Sequence, residues 1–275
     1  MTSLLPEIAP LGWALLALAA SLVGFSKTAL PGINTVSIAI FAAILPARAS
    51  TGALLLLLIV GDVFALLSYR RHADWTTLVR LIPAVACGLA LGAAFLAIAG
   101  DGEVRRAIGV ILLLVIAFSL WQRWRSAAGR GARPGAARQS EPAAEARDTT
   151  VPGADARSGR WSRIGYGALG GFTTMVANAG GPVMSMYFLA ARFPVRAFLG
   201  TAAWFFAVIN LAKVPVSLGL GLITAHTLLL DLLLVPGVVA GALLGRWVAV
   251  RIPQRSFERA VVACTILGAL YLLLG

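Results

Sequence analysis

The chain carries nearly the same text twice, and both copies lie inside apolar sequence. Leu45 to Gly52 (LPARASTG) returns as Phe193 to Gly200 (FPVRAFLG), 148 residues later. Pro46, Arg48, Ala49 and Gly52 meet Pro194, Arg196, Ala197 and Gly200. Upstream, Gly24-Phe25 meets Gly171-Phe172, and Gly32 meets Gly180. Downstream the offset grows to 153 residues: Pro83, Gly88 and Gly92 meet Pro236, Gly241 and Gly245, and Arg106-Ala107 meets Arg259-Ala260. A duplicated, glycine-interrupted apolar chain is the pattern of a membrane transporter built from two related halves.

Composition supports a membrane chain. Apolar residues make up 59% and charged residues 12%, whereas a soluble domain carries about 25% charge. Several apolar runs reach the roughly 20 residues that cross a bilayer core. The opening MTSLLPEIAP lacks a basic region and runs into the first span, so no cleavable signal peptide is expected. The net charge of +12 raises a nucleic-acid reading. The basic excess falls between spans, however, as arginines do in cytoplasmic loops, and no nucleic-acid partner is expected.

Five apolar segments make up the first half, at roughly 11–30, 33–45, 50–69, 77–99 and 104–124. Five more follow at roughly 162–178, 181–192, 197–219, 227–250 and 256–274. The expected organisation is a first membrane repeat over 1–124, an Arg/Ala/Gly/Pro-rich disordered linker over 125–160, and a second repeat over 161–275. The segments 33–45 and 181–192 are too short to cross as ordinary helices. Each follows a breaker, Pro31-Gly32 or Gly180-Gly181-Pro182. The opening pair of each half therefore reads as a broken or re-entrant hairpin, whose irregular backbone must face protein or a water-filled cavity. The fold class expected is an all-α integral membrane protein of two inverted repeats.

A cytoplasmic linker puts Arg70, Arg71, His72, Arg192, Arg196, Arg246, Arg251 and Arg255 inside, as the positive-inside rule requires. Both termini then face outward. Arg48 and Arg196, although repeat counterparts, face opposite sides, as inversion demands.

The polar residues inside apolar sequence are the site candidates. Lysine occurs only at Lys27 and Lys213, both in apolar segments, where a charge costs several kcal/mol unless paired or hydrated. Either could form a positive site for an anion or take part in an internal ion pair. Ser26, Lys27, Thr28, Pro31, Gly32 and Asn34 cluster at the first break; Thr173, Thr174, Asn178, Gly180, Gly181 and Pro182 cluster at the second. Helices starting after each break would aim free N–H groups and a positive dipole end at the centre, an arrangement that binds oxyanions. Small residues there equally permit close helix packing. Asp62, whose repeat counterpart is Asn210, is a candidate proton site or lysine partner. Asp231 lies nearer a span end and reads as interfacial. Cys87 and Cys264 read as buried thiols, and His72 and His226 as loop residues. Most tryptophans sit near span ends, as anchors do, and Trp204, further in, reads as a packing residue or as the wall of a cavity. No catalytic, metal or nucleotide motif is present in the sequence, so no enzyme activity or cofactor is expected.

With GFSKTALPG, VGDVFALLSYRRHADW, GFTTMVANAGGPVMSMYF and TAAWFFAVINLAKVP, the chain resembles the TauE/SafE family. These are sulfite exporters and anion permeases, also called toluene sulfonate uptake permeases. The resemblance covers much of both halves and leaves out the linker. It implies a bacterial inner-membrane permease for sulfite, sulfoacetate or related organosulfonates. It also implies that Ser26, Lys27, Thr28, Pro31 and Gly32, with Asn178, Gly180, Gly181 and Pro182, line the substrate path. Ala29 and Leu30 stand where some relatives are richer in glycine. The expected function is a secondary transporter, with proton or sodium coupling open. An anion channel of the same fold and a non-transporting membrane scaffold are the other readings. Small-residue helix faces allow a homodimer and serve internal packing equally well.

Overall fold

The computed structural model describes residues 8–30, 33–111, 113, 114, 117, 154–191, 193–249, 251, 253 and 256. Pro31, Gly32, Cys264, the 256–274 segment after its first residue, and the linker before Ala154 lie outside the described residues. The regular elements described are all helical. They are α1 (Pro10–Thr28), α2 (Asn34–Ile44), α3 (Ala47–Tyr69), a 3-10 turn (Arg70–His72), α4 (Trp75–Ile98), α5 (101–111), α6 (Ala154–Ala177), α7 (Gly180–Ala190), α8 (Val195–Gly219) and α9 (Ala225–Ala249). Five of these are long and apolar enough to cross a membrane: α1, α3 with its turn, α4, α8 and α9. Helix α6 begins at Ala154, ahead of the apolar segment expected from 162.

Local chemistry fixes the boundaries. Pro10 opens α1, where its missing N–H costs nothing. Pro46 and Pro194 stand just before α3 and α8. The Asp74 carboxylate caps α4 by accepting from the Thr77 amide at 3.1 Å. Helix α1 ends at Thr28, ahead of Pro31, since the residue before a proline avoids helical backbone. Helix α6 ends at Ala177, and the next residue, Asn178, has a φ of 54°, in the left-handed region that asparagine tolerates.

The short helices fold back along their predecessors. Ser37 Oγ donates to the Ala19 carbonyl at 2.9 Å, tying α2 to α1. The most extensive helix packing joins α4 to α6 and α1 to α9. Both seams depend on glycine. A Cβ at Gly24 or Gly241 would strike the backbone carbonyl of Val238 or Ser21, and one at Gly88 or Gly171 that of Ala168 or Val85. Helices α3 and α8 pack on each other at the centre.

Two sequence expectations are corrected here. Cys87 is exposed on α4, not buried, because α4 turns much of its surface away from the bundle. Asp231 is buried, only 4% exposed. It lies more than a turn inside α9 and on its packed face, with neither carboxylate oxygen hydrogen-bonded. Trp204 does both things expected of it: its ring centroid lies 5.0 Å from that of Trp75, and it lines a cavity between α4 and α8.

Candidate functional site

The two helix ends, at Lys27 and at Asn178, converge with α3 and α8 on one small cavity of about 30 Å³. Ser26, Lys27 and Asn34 line it from the first half, and Thr174, Asn178 and Gly181 from the second. Asp62 and Asn210 face it from the paired central helices. Leu58, Leu199, Ala202, Ala203 and Phe206 supply its apolar wall. The volume suits one or two waters, so a larger ligand requires the walls to move.

Asp62 is the hub. The Lys27 ammonium lies 2.6 Å from Asp62 Oδ1, and Asn210 Nδ2 donates to Oδ2 at 2.7 Å. Repeat counterparts in sequence therefore touch each other in space. Lys27 also lies 4.6 Å from the centroid of the Phe206 ring, a cation–π contact. An ammonium carries three N–H donors, so Lys27 keeps donors in reserve beyond its contact with Asp62.

Lys213 is fully buried and is anchored differently. Its Nζ donates to the Thr174 carbonyl and to Asn178 Oδ1, each at 2.6 Å. Asn178 Nδ2 then donates to the Thr51 carbonyl at 2.9 Å. Lys213 thus ties α8 to the end of α6 through dipoles, and its ammonium also lies within electrostatic reach of Lys27 and Asp62. Lys213 does not itself line the cavity; it stands behind Thr174 and Asn178, which do, and among the described residues it has no ion-pair partner. An uncompensated buried charge costs several kcal/mol, and an anion would balance it.

Two acceptors are left over. Asn34 Oδ1 and Asn210 Oδ1 are buried without a hydrogen-bond partner, although both residues line the cavity. They suit a ligand that brings its own donors, such as water or a protonated oxyanion.

The remaining candidates lie off the cavity. Thr28 Oγ1 donates to the Ala242 carbonyl at 2.9 Å and helps join α1 to α9. Thr173 Oγ1 bonds back to the Leu169 carbonyl at 2.8 Å. Gly180 packs closely against Thr174, and Pro182 is buried in α7. Ser26 lines the cavity while donating to the Val23 carbonyl at 2.8 Å.

Sequence reasoning missed several contributors. Thr51 receives Asn178 and donates to the Val176 carbonyl at 3.3 Å. Phe206 and Leu58 were anonymous apolar residues until α3 and α8 crossed. A usable signal was their spacing, since Phe206 lies one helical turn before Asn210, and Leu58 one turn before Asp62.

Among the described residues, no cluster of His, Cys, Asp and Glu could hold a metal ion. Comparison with curated proteins gives no match, and comparison with solved structures gives none either. The family profile described as "Sulfite exporter TauE/SafE" matches residues 16–272. With five helices apolar and long enough to cross a bilayer and a match over nearly the whole chain, the protein belongs to the TauE/SafE family of multi-pass membrane transport proteins.

Proposed function

We propose that this protein is a secondary transporter for a small sulfur-containing anion, sulfite or an organosulfonate, held at the central cavity. The observation that carries the reading is the Lys27 ammonium at the cavity, with donors beyond the one that Asp62 takes, and Lys213 directly behind the lining residues Thr174 and Asn178. Ser26, Asn34, Thr174, Asn178 and Gly181 are the side of the site from the helix ends; Asp62 and Asn210 are its floor. Asp62, the one carboxylate among the described residues that line the cavity, is the candidate for proton coupling.

The halves form an inverted repeat in this reading. The sequence correspondence exchanges α1 with α6 and α4 with α9, and the two most extensive seams, α1–α9 and α4–α6, are exchanged by the same rule. The contact between Asp62 and Asn210 lies on the axis relating the halves. Alternating access then moves one set of helices against the other around that axis. The linker lies in the cytoplasm, both termini lie outside, and the membrane is a bacterial inner membrane.

The test is thermal unfolding of the purified protein with sulfite, sulfoacetate, taurine or sulfate, followed by flux into proteoliposomes. A ligand that prefers the folded state raises the melting temperature. The expected result is stabilisation and saturable flux with at least one sulfur anion. Both should be lost in the Lys27→Met/Asp62→Leu double variant, which removes the pair without leaving an orphan charge. Absence of both stabilisation and flux with every anion, or an unchanged response in the double variant, refutes the site.

A further inference from the structure

A second cavity, of about 390 Å³, lies between α4 and α8. Its walls are apolar: Val79, Ile82 and Ala86 on α4 face Val208, Ala212 and Val216 on α8. The cavity is an open groove: Val79, Ile82 and Val208 on its walls are 61%, 57% and 56% exposed. The corresponding face of the other half, α3 against α9, is closely packed, whereas α4 and α8 touch at only a few positions. Among the described residues, no side chain fills the gap.

One end of the crevice is marked. Trp75 and Trp204 both line it and touch each other there, their rings tilted by 50°, and Trp204 Nε1 donates to the Arg70 carbonyl at 3.2 Å. Past the tryptophans, Arg70, Arg71 and His72 are all exposed, as is Arg80 on α4. The acid at this end, Asp74, is engaged in capping α4. Basic side chains beside an aromatic pair at the end of an apolar, membrane-spanning groove match the two parts of an anionic lipid. The α8 wall runs from Trp204 to Val216, about 18 Å at the helical rise. Half of a bilayer core is about 15 Å, so one acyl chain from one leaflet fits the length.

We propose that the α4–α8 crevice binds one anionic phospholipid, with an acyl chain between Val79, Ile82, Val208 and Ala212 and its phosphate on Arg70 and Arg71. The site is independent of the anion reading, since no residue is shared with the central cavity.

The experiment is native mass spectrometry of the full chain released from mild detergent, loaded with phosphatidylglycerol or with phosphatidylcholine. One phosphatidylglycerol should be retained, and phosphatidylcholine should be lost first. Val208→Trp, or the milder filler Ala212→Leu, should remove the retained lipid. Arg70→Glu and Arg71→Glu should each weaken retention about fivefold while leaving the melting temperature of the lipid-free protein unchanged. Leu67→Trp, at an exposed α3 position outside the crevice, should have no effect. Equal retention of both lipids, equal behaviour of Val208→Trp, Ala212→Leu and Leu67→Trp, or a second protein copy in place of lipid would overturn the proposal.

Discussion

Helices α3 and α8 are sequence counterparts that meet at the centre, yet their outer flanks differ. Helix α3 is gripped by α1 and α9; helix α8 meets α4 at few positions and leaves a crevice of about 390 Å³. The polar ties differ in the same sense. On the closed side an ion pair, Lys27 with Asp62, joins α1 to α3. On the open side Lys213 joins α8 to the end of α6 through a carbonyl and an amide. Counterpart helices therefore present unequal faces to their neighbours. Under the inverted repeat proposed above, exchanging their roles yields a second conformation, closed at α4–α8 and loosened at α3–α9.

The hardest blow to the closed side is Asp62→Ala. It leaves Lys27 buried without its carboxylate, beside a second buried lysine. Breaking one partner of a buried pair costs about 3–5 kcal/mol, read as a lowered midpoint in equilibrium unfolding in mixed micelles. The Lys27→Met/Asp62→Leu double variant should recover part of that loss, because apolar replacement of both leaves no orphaned charge, although Asn210 Nδ2 loses its acceptor. A double variant as unstable as Asp62→Ala would mean that the pair itself, not the avoidance of an orphan charge, holds α1 on α3.

Packing should show the same contrast at a smaller scale. Leu57 is fully buried on α3, and Ile82 is 57% exposed on the crevice wall. Leu57→Ala should cost about 2 kcal/mol or more, since a close-packed site cannot fully collapse around the lost atoms. Ile82→Ala should stay within about 0.5 kcal/mol, as exposed positions do. Equal losses in unfolding would show that the crevice is closed in the membrane, and the contrast between the faces would fall.

Much of this organisation was legible in sequence, for a physical reason. Charges inside apolar runs are costly, so Lys27, Asp62 and Lys213 announced themselves, and proline and glycine marked the ends of the short helices. Which face of each helix points inward was not legible. The helices are apolar nearly all round, and periodicity is weak where lipid and core are both apolar. That is why Cys87 was placed inside and Asp231 at an interface. Thr51, Leu58 and Phe206 join the cavity only through the crossing of α3 and α8, which no local pattern encodes. The tie from Lys213 to Asn178 needs the left-handed turn that ends α6, and a single asparagine gives little warning of it.

Arg48 and Arg196 offer the sharpest comparison between positions that the sequence makes equal. The Arg48 guanidinium donates to the carbonyls of Leu96 and Ala99 at 2.7 and 2.8 Å, and to that of Leu220 at 3.1 Å. It thereby ties the start of α3 to the end of α4 and to the turn after α8. Arg196 is exposed at the start of α8. Hydrogen bonds from a charged donor contribute about 1.5–3 kcal/mol, so Arg48→Ala should destabilise by about 2 kcal/mol, whereas Arg196→Ala should stay within about 0.5 kcal/mol. Arg48→Lys should not rescue, because one ammonium cannot spread its donors over three separated carbonyls as a planar guanidinium does. Equal costs at the two positions would mean that Arg196 makes matching ties in the membrane, and that the halves are more alike than their faces. Unequal costs would place the asymmetry in the packing around the two arginines, since both stand in the same Pro-x-Arg-Ala-x-x-Gly frame.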